Sequence, residues 1–303
     1  MSSQDGSLVA GPGRCCSAVP FCCSASGHTS NALEPARERA AGPWSSHDQR
    51  DAEEADTRLL IAELCKQFYH LGWVTGTGGG VSIRDGHNIY IAPSGVQKER
   101  LHPINMFVLD YPSFQPLISP PACSGPLRPS QCTPLFLAAY RIGIDRPGAE
   151  VGSVIHTHSP EAVDVTILCE LRGEDAFVIT HHEMIKGIRR NSGEYHRYQD
   201  ELVIPIIDNT PQERDLEESL SEAIRRHPEA PAVLVRRHGL YVWGRSWRDA
   251  KTQCECLDAL FNATIRARLL GCDMRFPPAG SKYLHDRKST EAGPLRFPEP
   301  QQQ

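Results

Sequence analysis

The stretch Val154-Ile155-His156-Thr157-His158-Ser159-Pro160-Glu161 joins a predicted buried strand to the start of a predicted helix. Side chains alternate between the two faces of a strand, so His156 and His158 share a face and can reach one metal ion. Ser159 is a favourable helix cap, and Pro160 suits the first helical turn. This strand-to-helix junction predicts an α/β sheet whose chemistry lies where its strands end.

A second strand-like run supplies a third imidazole. Val233-Leu234-Val235-Arg236-Arg237-His238-Gly239 is apolar at first, and its final glycine allows backbone or a ligand to approach closely. Three imidazole nitrogens and an open fourth position are the ligand set of a catalytic zinc site. We therefore predict that His156, His158 and His238 bind one Zn²⁺ per subunit, although most histidines are ordinary core or surface residues.

Composition limits the class of protein. The chain has 303 residues, a net charge of −5 and 40% hydrophobic residues, so it can bury a core and has no basic excess for nucleic acid. It has no run of about 18 apolar residues, which excludes a predicted membrane span. The first 13 residues lack the features of a secretory signal, and the 11 cysteines are an odd number. These features predict a cytoplasmic protein.

The chain divides into three parts by composition. Residues 1–55 are rich in small and charged residues without periodicity and are predicted to be a disordered extension. Residues 56–272 form one predicted catalytic domain, with a Pro-rich loop at 111–129 inside it. Residues 273–303 are predicted to be a disordered Pro-rich tail, and both ends leave room for protein partners.

Within the domain, predicted helices and strands alternate. Apolar residues at helical spacing predict a helix that starts at Asp56 and ends at Gly72, and a long final helix covers 246–270. Predicted strands cover 89–92, 106–109, 151–158, 176–180, 202–207 and 232–237. Thr133-Pro134 and Thr210-Pro211 each pair a capping residue with a helix-starting proline, and Glu213 completes a predicted capping box with Thr210.

A glycine-rich loop, Thr75-Gly76-Thr77-Gly78-Gly79-Gly80-Val81-Ser82, offers bare backbone N–H groups to an anion. It lacks the Lys-Ser/Thr of a P-loop, and no strand precedes it as in a dinucleotide-binding fingerprint. The small turn at Ser94 and Gly95, followed by Lys98, and the hydroxyl of Ser130 complete a predicted phosphate cradle. The phosphate contacts predicted in this way are Gly78, Gly79, Gly80, Ser94, Gly95 and Ser130.

Five segments together resemble the class II aldolase/adducin-head family. They are Gly78-Gly79-Gly80-Val81-Ser82, Ala92-Pro93-Ser94-Gly95-Val96, Ser130-Gln131-Cys132-Thr133-Pro134, His156-Thr157-His158-Ser159 and Arg237-His238-Gly239. The resemblance covers residues 56–272. It implies a three-layer αβα fold around a central, mainly antiparallel sheet, with zinc on the three histidines. It further implies a sugar-phosphate substrate and a homotetramer with active sites at subunit boundaries.

One departure from the family bears on the reaction. Its sugar-phosphate aldolases carry Ser-Ser-Glu where this chain has Ser130-Gln131-Cys132, so their acid/base carboxylate beside the metal is missing. The resemblance supplies Glu183 as the catalytic carboxylate, although from sequence alone it is better described as a solvated surface residue. Cys132 can ligate zinc or face the substrate, and we predict substrate contact. The adjacent His181 and His182 are predicted to serve packing or support.

The resemblance then implies zinc-dependent dehydration of a methylthio-substituted ketose 1-phosphate in methionine salvage. In that reaction Glu183 removes the C3 proton and protonates the departing C4 hydroxyl. Two alternatives stay open on the same fold. One is a sugar-phosphate aldolase or epimerase, against which the missing carboxylate argues. The other is a non-catalytic, adducin-like interaction module, against which the complete histidine set and Glu183 argue.

Overall fold

The computed structural model describes residues 46–146 and 148–283, with side chains from Thr57 onward. Most of the predicted N-terminal extension, and residues 284–303 of the predicted tail, therefore lie outside the described part of the chain. Within that part, no helix has both the length and the apolar character needed to cross a membrane.

A large mixed sheet forms the middle layer of the domain. Within the described residues the strands are, in chain order, β1 (Gly80–Asp85), β2 (Asn88–Ile91), β3 (Pro93–Ser94), β4 (Phe107–Asp110), β5 (Pro116–Ile118), β6 (Arg128–Pro129), β7 (Ser153–Thr157), β8 (Ala176–Ile179), β9 (Leu202–Ile207), β10 (Ala232–Val235) and β11 (Gly239–Gly244). Nine of them make one sheet in the order β5-β4-β2-β1-β7-β11-β10-β9-β8, and β3 pairs with β6 separately. In the large sheet β9 and β10 run parallel, and the other neighbouring strands are antiparallel.

Helices cover both faces of this sheet. They are α1 (Ser46–His70), α2 (Thr133–Asp145), α3 (Pro160–Glu170), α4 (Glu217–Arg226) and α5 (Trp247–Leu269). Apolar side chains of α1, α3 and α5 pack in one core cluster, and those of α2 and α4 pack in a second. The predicted three-layer αβα fold with a mainly antiparallel sheet is confirmed.

Strand alternation divides the core between the two faces. In β10, Ala232 and Leu234 belong to the cluster under α1, α3 and α5, whereas Val233 and Val235 belong to the cluster under α2 and α4. All four are buried, so the strand shows a continuous apolar run in place of an alternating pattern. The next strand, β11, is also buried along its whole length and was missed by the sequence analysis.

Three of the predicted helix starts are wrong and one is confirmed. Asp56 lies inside α1, which begins at Ser46. The Ser159 hydroxyl accepts the N–H of Ala162 at 3.1 Å and caps α3 as predicted. At α2 the N-cap is Cys132, with no capping side chain, because Thr133 already lies inside the helix. The predicted capping box is absent because Glu213 begins a 3-10 helical turn, Glu213–Leu216, and α4 follows that turn.

The Pro-rich loop and the described part of the tail both contact the domain. From this loop, β5 adds to the edge of the large sheet beside β4, and β6 pairs with β3, the strand that contains Ser94. Beyond α5, the Met274 carbonyl accepts the N–H of Thr180 at 3.0 Å, and its side chain packs on the core. Where the tail begins stays a prediction, but residues 273–283 lie against the domain near β8.

Candidate metal centre

The strands bring the three histidines to one end of the sheet. His156 lies in β7 between β1 and β11, where it pairs with Gly80 on one side and Tyr241 on the other. His158 follows the end of the same strand, two residues on, and so shares its face. His238 is in the three-residue turn between β10 and β11, and its N–H donates to the Val235 carbonyl at 3.1 Å.

The three imidazoles meet through the same ring nitrogen. The Nε2 atoms of His156 and His158 are 3.0 Å apart, and those of His158 and His238 are 3.1 Å apart. His156 Nδ1 lies 3.1 Å from the Leu240 carbonyl, and His238 Nδ1 lies 3.1 Å from Asn209 Oδ1. An oxygen acceptor at Nδ1 fixes the proton there and leaves the Nε2 lone pair free for a metal.

A carboxylate that the sequence analysis did not place here completes the group. Glu213 Oε1 is 3.0 Å from His156 Nε2 and 3.9 Å from His238 Nε2. One ligand atom from each of these four residues lies within 4.8 Å of all the others, and we call His156, His158, His238 and Glu213 the His–Glu cluster. Its members come from three separate parts of the chain.

The spacing of the His–Glu cluster fits a tetrahedral ion. Ligands about 2.0–2.1 Å from Zn²⁺ at the corners of a tetrahedron are about 3.4 Å apart. The four separations given above run from 3.0 to 3.9 Å and bracket that value. Imidazole nitrogen and carboxylate oxygen are also ordinary zinc ligands. The residues present therefore fit a zinc ion.

The charges of the group agree with metal binding. Burial, with the neighbouring histidines, lowers the pKa of His158 to about 3, and burial with His156 lowers that of His238 to about 4. Both are therefore neutral near pH 7, which is the form that binds metals. Burial tends to raise the pKa of Glu213, but hydrogen bonding and attraction at His156, with Tyr241 and Cys132, hold it well below its usual range. The carboxyl group is thus ionised.

Tyr241 and Cys132 surround the Glu213 carboxylate. The Tyr241 hydroxyl donates to Oε1 at 2.6 Å, and the Cys132 thiol donates to the same oxygen at 3.2 Å. Tyr241 also stacks on His156, with ring centroids 3.9 Å apart and planes 6° apart. Burial and the Glu213 charge raise the pKa of the Cys132 thiol, so it stays protonated. The predicted substrate contact of Cys132 stays a prediction, because in this structure its thiol faces the carboxylate.

The glycine-rich loop packs directly against the histidines. Gly80 is the neighbour of His156 in the sheet, and a Cβ atom on Gly78 would overlap the imidazole of His158. The buried Lys98 donates from Nζ to the Thr77 carbonyl at 2.9 Å and to the Val96 carbonyl at 3.4 Å. Lys98 therefore ties the loop to the turn that carries Ser94 and Gly95.

The other predicted phosphate contacts lie close to one another. In the β3–β6 pair, Ser94 faces Arg128, two residues before Ser130. The Ser130 hydroxyl accepts the N–H of Cys132 at 3.2 Å, which places it at the start of α2 beside the His–Glu cluster. The fold thus gathers Ser94 and Ser130 near the site, and phosphate binding by them and by the glycines stays a prediction.

Glu183 is not part of the His–Glu cluster in its own chain. It begins a 3-10 helical turn, Glu183–Gly187, after β8, its side chain is 72% exposed, and it pairs with Lys186 at 2.9 Å. His181 and His182 are also outside the cluster. The His181 ring makes a hydrogen bond with the Thr180 hydroxyl, and His182 accepts the N–H of Met184. Their role in packing or support stays a prediction.

Sequence reasoning missed Glu213 and Tyr241. Glu213 was assigned to a capping box because Thr-x-x-Glu after a strand is the signal for one. The one clue against it was the missing carboxylate at Ser130-Gln131-Cys132, which required a replacement from elsewhere. The structure places Glu213 beside the three histidines, and the catalytic role of Glu183 stays a prediction. The sequence carried no signal that could pair Tyr241 with it.

The fold and the site together define a class of protein. The chain belongs to the Class II Aldolase and Adducin N-terminal domain family, whose pattern matches residues 60–265. A solved structure of an aldolase II superfamily protein from Pseudomonas syringae overlays with a TM-score of 0.55 at 17% identity, covering 78% of this chain and 86% of that one. At that identity the likeness shows the fold alone.

Curated relatives give a more particular comparison. A Mus musculus protein named methylthioribulose-1-phosphate dehydratase is 53% identical over 243 residues, which are 80% of this chain and 96% of the mouse protein. A Homo sapiens protein of the same name is 55% identical over 224 residues, covering 74% of this chain and 88% of the human one. The matched part of this chain therefore spans nearly the whole of each relative.

Proposed function

We propose that this protein is a metal-dependent hydro-lyase that dehydrates 5-methylthioribulose 1-phosphate to 2,3-diketo-5-methylthiopentyl 1-phosphate. The observation that carries the proposal is the convergence of three imidazole Nε2 atoms on one point beside an ionised carboxylate. The names of relatives more than half identical identify the substrate. The reaction places the protein in methionine salvage, and its cytoplasmic location stays a prediction.

Zinc is the proposed ion, held by Nε2 of His156, His158 and His238. When bound, it acts as a Lewis acid toward a carbonyl oxygen, which makes the neighbouring C–H more acidic. The lowered pKa values of His158 and His238 keep these ligands neutral, so they do not compete for the ion with protons near pH 7. The phosphate is held by the Gly78–Gly80 loop with Ser94, Gly95 and Ser130, and Cys132 contacts the substrate.

Glu183 is the proposed acid/base. It removes the proton from C3 and returns it to the C4 hydroxyl, which leaves as water while a double bond forms between C3 and C4. The resulting enol has a hydroxyl on C3 and tautomerises to the 2,3-diketone. The atoms balance, because the product is the substrate less one water.

We infer that Glu183 acts across a subunit boundary. Its side chain is exposed and lies outside the His–Glu cluster of its own chain, so the same chain does not present it to its own metal ligands. We therefore place it in the active site of a neighbouring copy, within the homotetramer that the family resemblance implies. An exposed turn that projects from the domain can enter a neighbour's site without rearrangement of the core.

An aldolase reaction is the competing use of this site. Glu213 restores a carboxylate beside the metal ligands, so the absence of Ser-Ser-Glu by itself does not argue against aldol cleavage. The names of the relatives favour dehydration instead. The complete His–Glu cluster argues against an idle interaction module, which would not require four converging ligands.

Product analysis tests the reaction. Purified, zinc-loaded protein is incubated with 5-methylthioribulose 1-phosphate, and the products are identified by mass spectrometry. We expect a product lighter than the substrate by one water. Release of a two-carbon or three-carbon fragment would establish an aldolase and overturn the proposal, and so would an unchanged substrate with fully loaded protein.

Mixed subunits test the placement of Glu183. Glu183→Gln and His238→Ala proteins should each be inactive alone, since one lacks the acid/base and the other a metal ligand. After joint refolding, some sites should combine an intact Glu183 from one copy with an intact His238 from another and recover activity. If the mixture stays as inactive as its parents while hetero-oligomers form, Glu183 does not act across a subunit boundary.

A further inference from the structure

We propose that Glu213 is the fourth ligand of the metal, and that Cys132 and Tyr241 are positioning residues that hold its carboxylate there. The inference rests on the proposed function for the presence of a metal ion, but not for the reaction that the ion supports. A wrong substrate would leave it standing. It adds to the three-histidine site a ligand from a different part of the chain.

The location of Glu213 carries the first step. The 3-10 turn Glu213–Leu216 lies between β9 and α4, and its first residue sends its side chain to His156. That side chain is 18% exposed, which is low for a carboxylate, and charged groups are seldom buried without a partner or a metal. Its distances of 3.0 and 3.9 Å to two imidazole nitrogens bracket the separation of about 3.4 Å expected across a tetrahedral ion.

The neighbours of Glu213 carry the second step. Cys132 and Tyr241 both donate to Oε1, and neither is among the groups of the His–Glu cluster. A ligating carboxylate is itself usually hydrogen-bonded, and such partners fix its orientation. Tyr241 fixes two ligands at once, because its ring stacks on His156 while its hydroxyl holds Glu213.

The contact between Cys132 and Glu213 explains why a cysteine suits the third position of Ser130-Gln131-Cys132. Where this family's aldolases have the third residue of Ser-Ser-Glu, this chain has Cys132. A glutamate at Cys132 would bring a second negative charge against Glu213, whereas a thiol donates a hydrogen bond to it. The thiol of Cys132 is therefore compatible with an ionised carboxylate at Glu213.

Cobalt substitution tests the ligand without using activity. The full chain is stripped of metal and titrated with Co²⁺, whose visible bands report the ligands, and Zn²⁺ affinity is measured by competition. Glu213→Gln keeps the side chain's size but removes its charge, so we expect affinity to fall by about 100-fold and the cobalt bands to shift. The control Glu218→Gln changes an exposed glutamate of α4 and should match the wild type.

The positioning residues are tested by combining variants. Tyr241→Phe and Cys132→Ala should each lower metal affinity by about tenfold, and Cys132→Ser should restore it because a hydroxyl also donates. Introduced into the Glu213→Gln protein, the same changes should have no further effect, since they act through a carboxylate that is gone. Equal losses in both backgrounds would overturn their role as positioning residues.

The ligand assignment has its own contrary result. A Glu213→Gln protein that melts like the wild type without metal, and then binds Co²⁺ with unchanged affinity and bands, would show that Glu213 is not a ligand. If the variant does not fold, the assignment is judged on Glu213→Asp, which keeps the charge but shortens the side chain by one methylene. Unchanged cobalt bands and affinity in that protein would equally overturn the ligand assignment.

Discussion

Glu213 and Glu183 begin similar 3-10 turns, one after β9 and the other after its neighbour β8, yet their surroundings are opposite. The Glu213 side chain is 18% exposed and touches His156, Tyr241 and Cys132, whereas that of Glu183 is 72% exposed and pairs with Lys186. The same residue type in the same local structure therefore has two different environments. We assign metal binding to the enclosed carboxylate and proton transfer to the exposed one.

The roles assigned to Glu213 and Glu183 both depend on a bound metal ion. The largest loss of zinc and activity is therefore expected when a proposed histidine ligand is replaced. His238→Ala should lose tightly held zinc and all measurable activity, because a site of so few protein ligands has none to spare. Metal analysis after dialysis measures this directly. His87→Ala, in the exposed turn between β1 and β2, is the matched control. One equivalent of tightly held zinc in the His238→Ala protein would remove His238 from the site.

Glu183→Gln separates the two carboxylates most clearly. The amide keeps the shape of the side chain but cannot exchange a proton, so turnover should fall by about 10² to 10⁴. Zinc content and the cobalt spectrum should stay as in the wild type, unlike those of Glu213→Gln. Glu194→Gln, an exposed residue further along the same connection, should retain activity. Wild-type turnover in the Glu183→Gln protein would end the assignment of the two roles.

Gly78→Ala should resemble the loss of Glu213 more than the loss of Glu183. Its added methyl group would overlap the His158 ring and displace it, so zinc affinity should fall by about tenfold. Gly76→Ala is the control, because Gly76 has nothing within 4 Å of an added Cβ but does have a φ of +65°. That variant should lose about 1 kcal/mol of stability while it keeps its zinc affinity. Equal zinc affinities in the two variants would contradict the contact with His158.

The last effect is a pH dependence of stability that arises from His196, which lies in the same β8–β9 connection as Glu183. Burial, with repulsion by Arg190, lowers the pKa of His196 to about 4, against about 6.5 in an unfolded chain. Between these values the unfolded chain binds a proton that the folded one does not, so stability is full above pH 6.5 and falls as the pH drops toward 4. Melting of metal-free protein across this range should be less pH-dependent in His196→Gln than in the wild type. Parallel curves for the two proteins would exclude His196 as the source.

The strand periods and helix starts explain how much of the fold could be predicted. Apolar runs at 202–207 and 232–237 predicted β9 and all of β10, the latter with two residues too many, and Ser159-Pro160 predicted the start of α3. β11 (Gly239–Gly244) was missed for two reasons. It follows β10 after a turn of only three residues, and because it is buried on both faces its sequence does not alternate between polar and apolar residues. Caps at Thr133 and Thr210 failed because local signals do not fix which residue starts a helix.

The sequence by itself determined the histidine part of the site. A period of two puts His156 and His158 on one face of a strand wherever that strand lies. The apolar run before His238 indicated the third histidine, and the resemblance of five segments indicated the family. Those conclusions depend on local geometry or on whole motifs. They required no knowledge of which elements meet in space.

Tertiary structure alone decided the surroundings of Glu213. Its partners His156, Cys132 and Tyr241 lie in β7, at the start of α2 and in β11, far from it along the chain. A carboxylate's chemistry is set by the charges, donors and burial around it, and these come from packing of distant elements rather than from neighbours in sequence. For the same reason Glu183, whose surroundings in its own chain are mostly solvent, acquires its proposed role only when a second copy is added.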